Sequence, residues 1–445
     1  MNVTKIETNI KRNMFLNKTS KIKMHDITNK LETQRINIYS EIKFQEILGF
    51  GGALTSSSGY VLSSIDENLS NKIIEEYFSP AGLNYCFCRL PIGSSDFSQK
   101  SYSYSYKKDL SDFNIEKDEQ YIIPFIKKAQ KQCDTLQFLA TPWSPPSFMK
   151  NNKTLKFGGK LLDKYKNLYA NYLIKYIQEY KKNNIDINYI TTQNEPNAMQ
   201  VWESCIYSAK EEAEFIKNYL YPKLKEQNLS TKILIWDHNK DNILYRVLDT
   251  ISDSEINSYI SGFAFHWYTG THFENIKLLH DLFPNKLIFQ TEGCTGYSNF
   301  KPEDELFNAE LYASEIIGDL NSGTNTFIDW NIVLDYNGGP NHKRNYCNSP
   351  IMINKEKSDY IKTPSFYYIA QFSKYIKPGA RKIAFSRFTE KLDVIAFQNP
   401  NNSVIIVLLN RNDYNIEYNL CFKNQFIHDN MDSHAIVTFI INGDE

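Results

Sequence analysis

Short runs of β-forming residues alternate with longer runs of helical periodicity along most of the chain. The clearest helical run covers residues 162–177, where apolar positions recur every three or four residues and form one stripe. This alternation is typical of parallel strands that are joined by crossover helices. Eight strands are predicted, at residues 48–54, 85–92, 136–143, 187–195, 232–238, 262–268, 286–292 and 324–334.

Eight strand–helix pairs are the number that closes a (β/α)8 barrel. The predicted fold class is therefore α/β, with a TIM barrel as its main domain. An open, doubly wound sheet is the alternative, but no glycine-rich dinucleotide fingerprint follows any predicted strand. With 445 residues, the chain is long enough for such a barrel and a smaller second domain.

The pattern changes after about residue 381 to strands of period two, without helical runs between them. The strands predicted there are residues 393–397, 403–410, 416–422 and 435–441. The strand-like stretch 36–47, which precedes the barrel, is expected to complete a small β-sandwich that both termini form. The predicted domains are an N-terminal segment, 1–47, whose last part contributes a strand to the sandwich, the catalytic barrel, 48–380, and the C-terminal β-sandwich, 381–445.

The charge balance limits the kinds of partner. The chain has 51 acidic and 50 basic residues and a formal net charge of -1, so no strong field attracts nucleic acid or anionic lipid. No run approaches the ~18 consecutive apolar residues of a membrane span. We therefore expect a neutral or modestly charged substrate, no nucleic-acid partner and no membrane span, while the oligomeric state stays open.

The N-terminal residues and the cysteines bear on location. The first 24 residues carry scattered Lys and Arg, but they contain no apolar core and no small-residue cleavage site of a secretory signal. The seven cysteines are odd in number and dispersed, unlike a disulfide framework. Both features favour a cytoplasmic protein with reduced thiols, although secretion by another route stays open.

Two predicted strands end in a glutamate, Glu195 after the fourth and Glu292 after the seventh. Catalytic residues of such barrels lie at the carboxyl ends of the strands. Pro196 disfavours the helical region for the residue before it, so Glu195 is expected to be extended, and Gly293 would allow a sharp turn after Glu292. A single glutamate here would more often cap a helix or pair with a cation. Two together suit glycoside hydrolysis, in which one donates a proton and the other attacks the anomeric carbon.

Other residues at the predicted strand ends suit a sugar. Aromatic rings offer flat apolar faces to the C–H side of a pyranose, and polar side chains can bind its hydroxyl groups. The aromatic candidates are Trp143, Tyr268 and Trp330, and the polar candidates are Arg89, Asp96, Asn194, His238 and Asn345. The tryptophans could equally be core residues, and Arg89 and Asp96 could form a structural ion pair.

Two other classes of protein are alternatives. Asp237, His238 and His266 lie at predicted strand ends, where imidazoles and carboxylates could hold the metal of a metal-dependent hydrolase. The paired glutamates of strands four and seven disfavour this hypothesis. The other class is a carbohydrate-binding protein without catalysis. Such a protein should have another residue in place of one of the glutamates, but both are present. Hydrolysis by two carboxylates needs no cofactor, and none is predicted.

From about residue 45 onward, the chain resembles glycoside hydrolase family 30, the family of lysosomal glucosylceramidase. Seven motifs in family order carry the resemblance: GFGGALT (49–55), RLPIGSSDFS (89–98), TPWSPP (141–146), QNEP (193–196), HWY (266–268), TEG (291–293), and WN (330–331) followed by GGPN (338–341). Asn-Glu-Pro alone would indicate only the broader clan of barrel glycosidases. Ser56 departs from the family, which has Asp at that position.

The resemblance implies a barrel with a β-sandwich from both termini, and a retaining double displacement with Glu195 as acid/base and Glu292 as nucleophile. It also implies that the subsite for the non-reducing sugar is lined by Arg89, Asp96, Trp143, Asn194, Tyr268, Trp330 and Asn345. Burial and the charge of Glu292 are expected to raise the pKa of Glu195 above its ordinary value, about 4.3.

The expected function is that of a retaining β-glycoside hydrolase that cleaves β-glucosidic bonds, either as a glucosylceramidase or on β-1,6-glucan and oligosaccharides. A β-xylosidase or a related family 30 glycosidase is the alternative. The segment 200–207, QVWESCIY, resembles the β-1,6-glucanase branch most closely.

Overall fold

The computed structural model describes residues 2–27, 33–295 and 305–442. Within these ranges, the strands form a closed barrel, a ten-stranded sheet and a three-stranded sheet. The N-terminal strands are β1 (Val3–Asn9), β2 (Met14–Ile22), β3 (His25–Asp26) and β4 (Arg35–Ile47). The barrel strands are β5 (Gly49–Ala53), β6 (Phe87–Ile92), β7 (Gln137–Pro142), β8 (Tyr189–Thr191), β9 (Lys232–Asn239), β10 (Ile260–His266), β11 (Leu287–Glu292) and β12 (Thr326–Asp329). The remaining strands are β13 (Val333–Leu334), β14 (Ile351–Ile353), β15 (Tyr360–Lys362), β16 (Ala380–Arg387), β17 (Leu392–Gln398), β18 (Val404–Asn410), β19 (Ile416–Phe422), β20 (Gln425–Met431) and β21 (Ala435–Ile441).

The helices follow the periodic runs of the sequence. They are α1 (Ser56–Ser63), α2 (Glu67–Phe78), α3 (Glu116–Gln130), α4 (Lys166–Lys182), α5 (Ala209–Phe215), α6 (Tyr221–Glu226), α7 (Ile243–Thr250), α8 (Ser254–Tyr259), α9 (Phe273–Leu282), α10 (Glu305–Asn321) and α11 (Pro364–Ser373). At the start of α5, Ser208 and Glu211 form a reciprocal capping box, which satisfies two backbone N–H groups of the first turn. No helix of the described residues is both long and apolar enough to cross a membrane.

The eight barrel strands run parallel and close in chain order, with β12 paired to β5. This confirms the predicted α/β fold with a (β/α)8 barrel. A layer of buried side chains fills the interior, including Phe87, Leu139 and Phe289. Because the barrel is packed solid, an open site can form only at its ends, where the loops meet.

The fourth and eighth barrel strands are much shorter than the pattern predicted. β8 ends at Thr191, so Glu195 lies four residues beyond the ladder rather than at its end. The eighth strand breaks at Asn331, whose φ of 60° is left-handed, and the chain then leaves the barrel. Beyond this turn, β13 pairs in the three-stranded sheet instead.

The ten-stranded sheet contains strands from both ends of the chain, in the order β2-β1-β21-β18-β17-β16-β4-β19-β20-β3. The apolar side chains of one of its faces share one buried cluster, to which Val3, Ile36, Ile406 and Val437 belong. The predicted β-sandwich from both termini is therefore confirmed. The N-terminal segment contributes four strands, however, rather than one. The pattern missed β2 because most of its side chains are exposed and show no clear alternation.

Candidate active site

A cavity of about 400 Å³ lies among the loops that follow the carboxyl ends of the barrel strands. Its size is within the usual range of small-molecule sites, roughly 300–1,000 Å³. The lining residues are Asp96, Trp143, Asn194, Glu195, Gln200, Trp202, His238, Asn239, Tyr268, Glu292, Trp330 and Asn345. The cavity therefore brings together both predicted catalytic glutamates and all predicted sugar-binding residues except Arg89.

Glu292 is the last residue of β11 and is almost completely buried. Arg89 donates from Nη1 to its Oε2 over 2.5 Å, and the Tyr268 hydroxyl donates to its Oε1 over 3.0 Å. Each carboxylate oxygen thus has a donor, and one donor carries a full positive charge. Both interactions fix the orientation of the Glu292 carboxylate.

Gly293 has a different role from the predicted sharp turn. Its φ is not in the left-handed region. A Cβ at this position would lie 2.6 Å from the indole ring of Trp267, closer than any real contact. The glycine is therefore needed because Trp267 packs directly against the backbone that follows Glu292.

Arg89 lies beneath the cavity rather than in its wall, because its side chain is fully buried. Its Nη2 donates to Asn194 over 2.8 Å and to Asp237 over 2.9 Å. The expectation that Arg89 lines the sugar subsite, and the alternative of an ion pair with Asp96, are both wrong. Arg89 instead holds the carboxylates of Glu292 and Asp237 and the Asn194 amide in fixed positions.

The backbone of Glu195 is left-handed, with φ of 47°, so the expected extended conformation is wrong. Pro196 disfavours only the right-handed helical region and leaves this turn open. The Glu195 N–H donates to the carbonyl of Asp237 on the neighbouring strand over 3.0 Å, which holds the turn in place. Left-handed residues other than glycine are uncommon, and they concentrate at functional sites.

His266, at the end of β10, connects the carboxylates of the site. Its Nδ1 lies 3.3 Å from Glu195 Oε1 and 4.0 Å from Glu292 Oε1, and its Nε2 lies 3.1 Å from Asp237 Oδ1. Burial lowers the pKa of His266, but the charges and hydrogen bonds of Glu292, Asp237 and Glu195 outweigh burial and raise that pKa to about 9. The imidazole is therefore protonated at neutral pH.

The same contacts lower the pKa of Glu195, whereas the sequence led us to expect a raised pKa. Burial raises the pKa of Glu195, but the hydrogen bond from His266 and the charges of His238 and His266 lower it below its ordinary value. The Nε2 of His238 lies 3.7 Å from Glu195 Oε1. The predicted rise was wrong because the closest ionisable neighbours of Glu195 are imidazoles, and spacing along the chain did not reveal this.

Asp237 is the buried centre of the network. Its Oδ2 accepts from Arg89, Thr141 and Thr191, and its Oδ1 accepts from Thr291 and contacts His266. Burial raises the pKa of Asp237, but the charge of Arg89 and these hydrogen bonds lower it strongly.

The alternative metal site would have used Asp237, His238 and His266. The oxygens of Asp237 are occupied by protein donors, and His266 already bridges two carboxylates. Among residues 2–27, 33–295 and 305–442, no group of three or more His, Cys, Asp or Glu side chains has an arrangement that could hold a metal ion. Asp237 and His266 belong to the hydrogen-bond network around the glutamates, and His238 faces Glu195 at 3.7 Å.

The two predicted tryptophans both pack and face the cavity. The rings of Trp143 and Trp330 stack, with centroids 5.3 Å apart and planes 21° apart, and each residue is only 2% exposed. The Arg89 guanidinium carbon lies 4.8 Å from the Trp143 centroid, within cation–π range. Core packing and sugar binding are therefore not alternatives here. The two rings pack against each other, and they also line the cavity.

Asp96 lies in the cavity wall and accepts from the side chains of Asn341 and Asn345, each over 3.2 Å. Burial and then the charge of Glu292 raise the pKa of Asp96 to about 7. The carboxyl group is therefore partly protonated near neutral pH. Such a group can both donate to and accept from sugar hydroxyls.

Sequence reasoning missed three lining residues, Gln200, Trp202 and Asn239. Asn239 directly follows the predicted His238, so the strand end itself could have indicated it. Gln200 and Trp202 lie in the long loop after β8, and nothing in their spacing shows which residues of that loop turn inward.

A packed (β/α)8 barrel with two glutamates at the ends of its fourth and seventh strands is the arrangement of barrel glycosidases. The model of the glycosyl hydrolase family 30 TIM-barrel domain matches residues 47–376, and that of the family 30 β-sandwich domain matches residues 379–439. The chain therefore belongs to glycosyl hydrolase family 30, which confirms the resemblance. It is an O-glycosyl hydrolase, and its substrate is a carbohydrate.

Several relatives agree with this assignment. The chain is 34% identical to putative glucosylceramidase 4 of Caenorhabditis elegans over 410 residues, which cover 87% of this chain and 78% of that protein. The crystal structure of SrfJ from Salmonella typhimurium superposes with a TM-score of 0.97 at 31% identity and covers 100% of both chains. The endo-β1,6-glucanase BT3312 superposes with a TM-score of 0.90 at 27% identity, over 99% of this chain and 100% of that one.

Proposed function

We propose that the protein is a retaining β-glucosidase in which Glu195 is the general acid/base and Glu292 the nucleophile. The observation that carries this proposal is the difference between the partners of the two carboxylates. Glu292 is held by the Arg89 guanidinium and the Tyr268 hydroxyl, which fix the direction of its carboxylate. Glu195 contacts an imidazolium that can give it a proton.

The reaction then has two steps. Glu292 attacks the anomeric carbon while Glu195 protonates the departing oxygen, and a glycosyl ester forms on Glu292. Glu195, now ionised, removes a proton from water. The water then opens the ester from the face that the aglycone has left. Both carboxylates contact one ring nitrogen, at 3.3 and 4.0 Å, so they face the same part of the cavity.

His266 is a proton donor in contact with Glu195, because its Nδ1 lies 3.3 Å from Glu195 Oε1. The carboxylates around His266 raise its pKa, and the imidazoles lower the pKa of Glu195, so the proton stays on His266 while the cavity is empty. Glu195 must gain its proton when substrate binds, because a bound sugar displaces water and disfavours the charged carboxylate.

The residues at the rim of the cavity favour a substrate with an apolar aglycone, such as glucosylceramide. Three large apolar residues next to the lining residues Gln200 and Trp202 are exposed, Phe157 by 54%, Met199 by 72% and Val201 by 52%. The Phe157 N–H donates to the Gln200 carbonyl over 2.8 Å, so these residues form one patch, the apolar rim. Exposed apolar clusters beside a site are suited to bind an apolar part of the substrate.

A β-1,6-glucan oligosaccharide is the second candidate. It is favoured by the superposition on the endo-β1,6-glucanase BT3312 over nearly the whole chain. The loop segment 200–207, which resembles that branch, also includes two lining residues of the cavity.

Hydrolysis of glucosylceramide in detergent micelles, of gentiotetraose and of 4-nitrophenyl β-glucoside would test the proposal. We expect Met199→Ser to raise KM for glucosylceramide about tenfold and to leave 4-nitrophenyl β-glucoside unchanged, because each exposed methylene that binds the lipid contributes up to ~0.8 kcal/mol. Tyr245→Ser, at an exposed residue of α7 that does not line the cavity, is the control. Preference for gentiotetraose, with no effect of Met199→Ser, would select the second candidate.

Retention is tested with the same substrates. Proton NMR of the first-formed glucose should show the β anomer before mutarotation. An initial α anomer would contradict the retaining mechanism, and no release of glucose from any of the three substrates would contradict β-glucosidase activity.

A further inference from the structure

Three loops at the mouth of the barrel meet at one buried carboxylate, Glu203, which is 2% exposed. Glu203 lies in the loop after β8. The Ser94 hydroxyl, in the loop after β6, donates to its Oε1 over 2.8 Å. The Nε2 of His342, in the loop between β13 and β14, lies 3.4 Å from its Oε2.

The imidazole of His342 is held on both sides of its ring. Its Nδ1 lies 3.1 Å from the Ser98 carbonyl, and its Nε2 faces Glu203 Oε2. These contacts tie the loop after β13 to the loops after β6 and β8. Burial raises the pKa of Glu203, but His342, Ser101 and Ser94 lower it below its ordinary value.

All three loops carry residues of the cavity wall. The loop after β8 provides Gln200 and Trp202, the loop after β6 provides Asp96, and the loop after β13 provides Asn345. Gln200 lines the cavity together with Glu195, and its side chain lowers the pKa of Glu195. A shift of the loop after β8 would therefore reach the acid/base directly.

The backbone of this loop has other anchors. Lys150 donates from Nζ to the Ser204 carbonyl over 2.6 Å, and the Gln200 N–H donates to the Ser204 hydroxyl over 3.1 Å. These contacts join the loop to the segment after β7 and to itself. Glu203 adds links to the loops after β6 and β13, on the other side of the cavity.

We propose that Glu203 and His342 form a clasp that holds Gln200 and Trp202 against the cavity, and that both are positioning residues for proton delivery by Glu195. This inference rests on the proposed role of Glu195. The clasp acts through Gln200, and neither Glu203 nor His342 needs to touch the substrate.

Hydrogen exchange of the full-length protein tests the clasp without reference to activity. In Glu203→Gln the shape is kept and the charge is lost, so peptides from 197–205 and from 335–349 should exchange several times faster than in the wild type. Glu214→Gln is the matched control. It removes a partly exposed ion pair between Glu214 on α5 and Lys166 on α4. Unchanged exchange at both loops in Glu203→Gln would overturn the proposal.

Kinetics with aryl β-glucosides of different leaving groups test the positioning role. We expect Glu203→Gln to lower kcat/KM about tenfold for phenyl β-glucoside, but less than about threefold for 2,4-dinitrophenyl β-glucoside, which needs little help from an acid. A misfolded fraction would reduce both equally, and titration of active sites would reveal it. Equal losses per active site would overturn the positioning role.

The double variant Glu203→Gln/His342→Gln tests whether the pair acts as one unit. It should be no worse than either single variant, because each single change already opens the clasp. Additive losses would overturn the pairing. If the wild type cleaves no β-glucoside, the proposed function fails, while hydrogen exchange still decides whether the clasp exists.

Discussion

The imidazole of His266 lies where three carboxylates converge, and it determines how the site stores its proton. Contacts of 3.1 to 4.0 Å join its two nitrogens to Asp237, Glu195 and Glu292. With Arg89 on the other side, two cations face three carboxylates in a buried space. Such a network is stable only while its charges stay balanced.

This balance predicts a specific dependence of stability on pH. Because the folded-state pKa of His266, about 9, exceeds its ordinary value of 6.5, its stabilisation is fully present below pH 6.5 and is lost as pH rises through about 9. Relative to His266→Asn, the wild type should lose roughly 3 kcal/mol of unfolding free energy over this range, as measured by urea denaturation. His272→Asn, at a partly exposed histidine, serves as control. Parallel pH curves for the wild type and His266→Asn would contradict the assigned charge.

A second prediction concerns the acid role of Glu195. In Glu195→Ala, kcat/KM for phenyl β-glucoside should fall about 10²–10⁴-fold, the usual contribution of a general acid. For 2,4-dinitrophenyl β-glucoside it should fall about tenfold or less, because that phenol leaves without a proton. Since kcat/KM reports the glycosylation step, equal losses for the two substrates would remove Glu195 from this role.

Single residues of the site were predictable where local sequence carries the signal. Glu195 and Glu292 follow apolar strands and precede Pro and Gly, so their place at strand ends could be read directly. The burial of Arg89 and the network around Asp237 could not, because their partners come from several strands that are far apart in sequence. Only the closed barrel brings them within hydrogen-bond distance.

At the scale of elements, strand β11 shows how packing fixes the side chain of Glu292. The backbone after Glu292 lies against the Trp267 ring so closely that only glycine fits at position 293. The periodic pattern predicted this strand, as it did the other barrel strands. It did not predict the early end of β8 or the edge strands β2 and β3, because turn geometry and polar edge strands leave little trace in hydrophobic periodicity.

The close approach of the Trp267 ring to position 293 predicts the effect of Gly293→Ala. The new methyl group would lie 2.6 Å from the indole, so the end of β11 must move and carry Glu292 away from Arg89 and Tyr268. We expect a loss of about 1–3 kcal/mol in unfolding free energy and a fall of at least about tenfold in kcat. Urea denaturation and steady-state kinetics measure the two. Unchanged kcat would mean that the position of Glu292 does not depend on this packing.

At the scale of the whole molecule, the β-sandwich and the barrel share one hydrophobic core. Ile47 at the end of β4 lies opposite Ala380 at the start of β16, and β4 leads almost directly into the first barrel strand. Ile395, Val407 and other sandwich residues belong to the same cluster as the barrel core. The sandwich is therefore part of the support of the barrel rather than a separate appendage.

Removal of residues 1–26 should test this support. The deletion takes away β1, which lies between β2 and β21, together with the buried side chains of Val3 and Ile6. We expect a loss of roughly 5 kcal/mol in unfolding free energy from the lost apolar burial, and self-association at the freed edge of β21. Urea denaturation and size-exclusion chromatography measure the two effects. An unchanged unfolding midpoint would contradict the role of the N-terminal strands.

The central claim is that Glu292 forms a covalent ester with a β-glucosyl group. The most direct test is to incubate the enzyme with 2,4-dinitrophenyl 2-deoxy-2-fluoro-β-glucoside, which slows the second step and lets the intermediate accumulate. Peptide mass spectrometry should then find one fluoroglucosyl group per chain, attached to Glu292, and Glu195→Ala should still be labelled because this substrate carries an activated leaving group. A label on Glu195, or turnover of the reagent without any labelled peptide, would contradict the account.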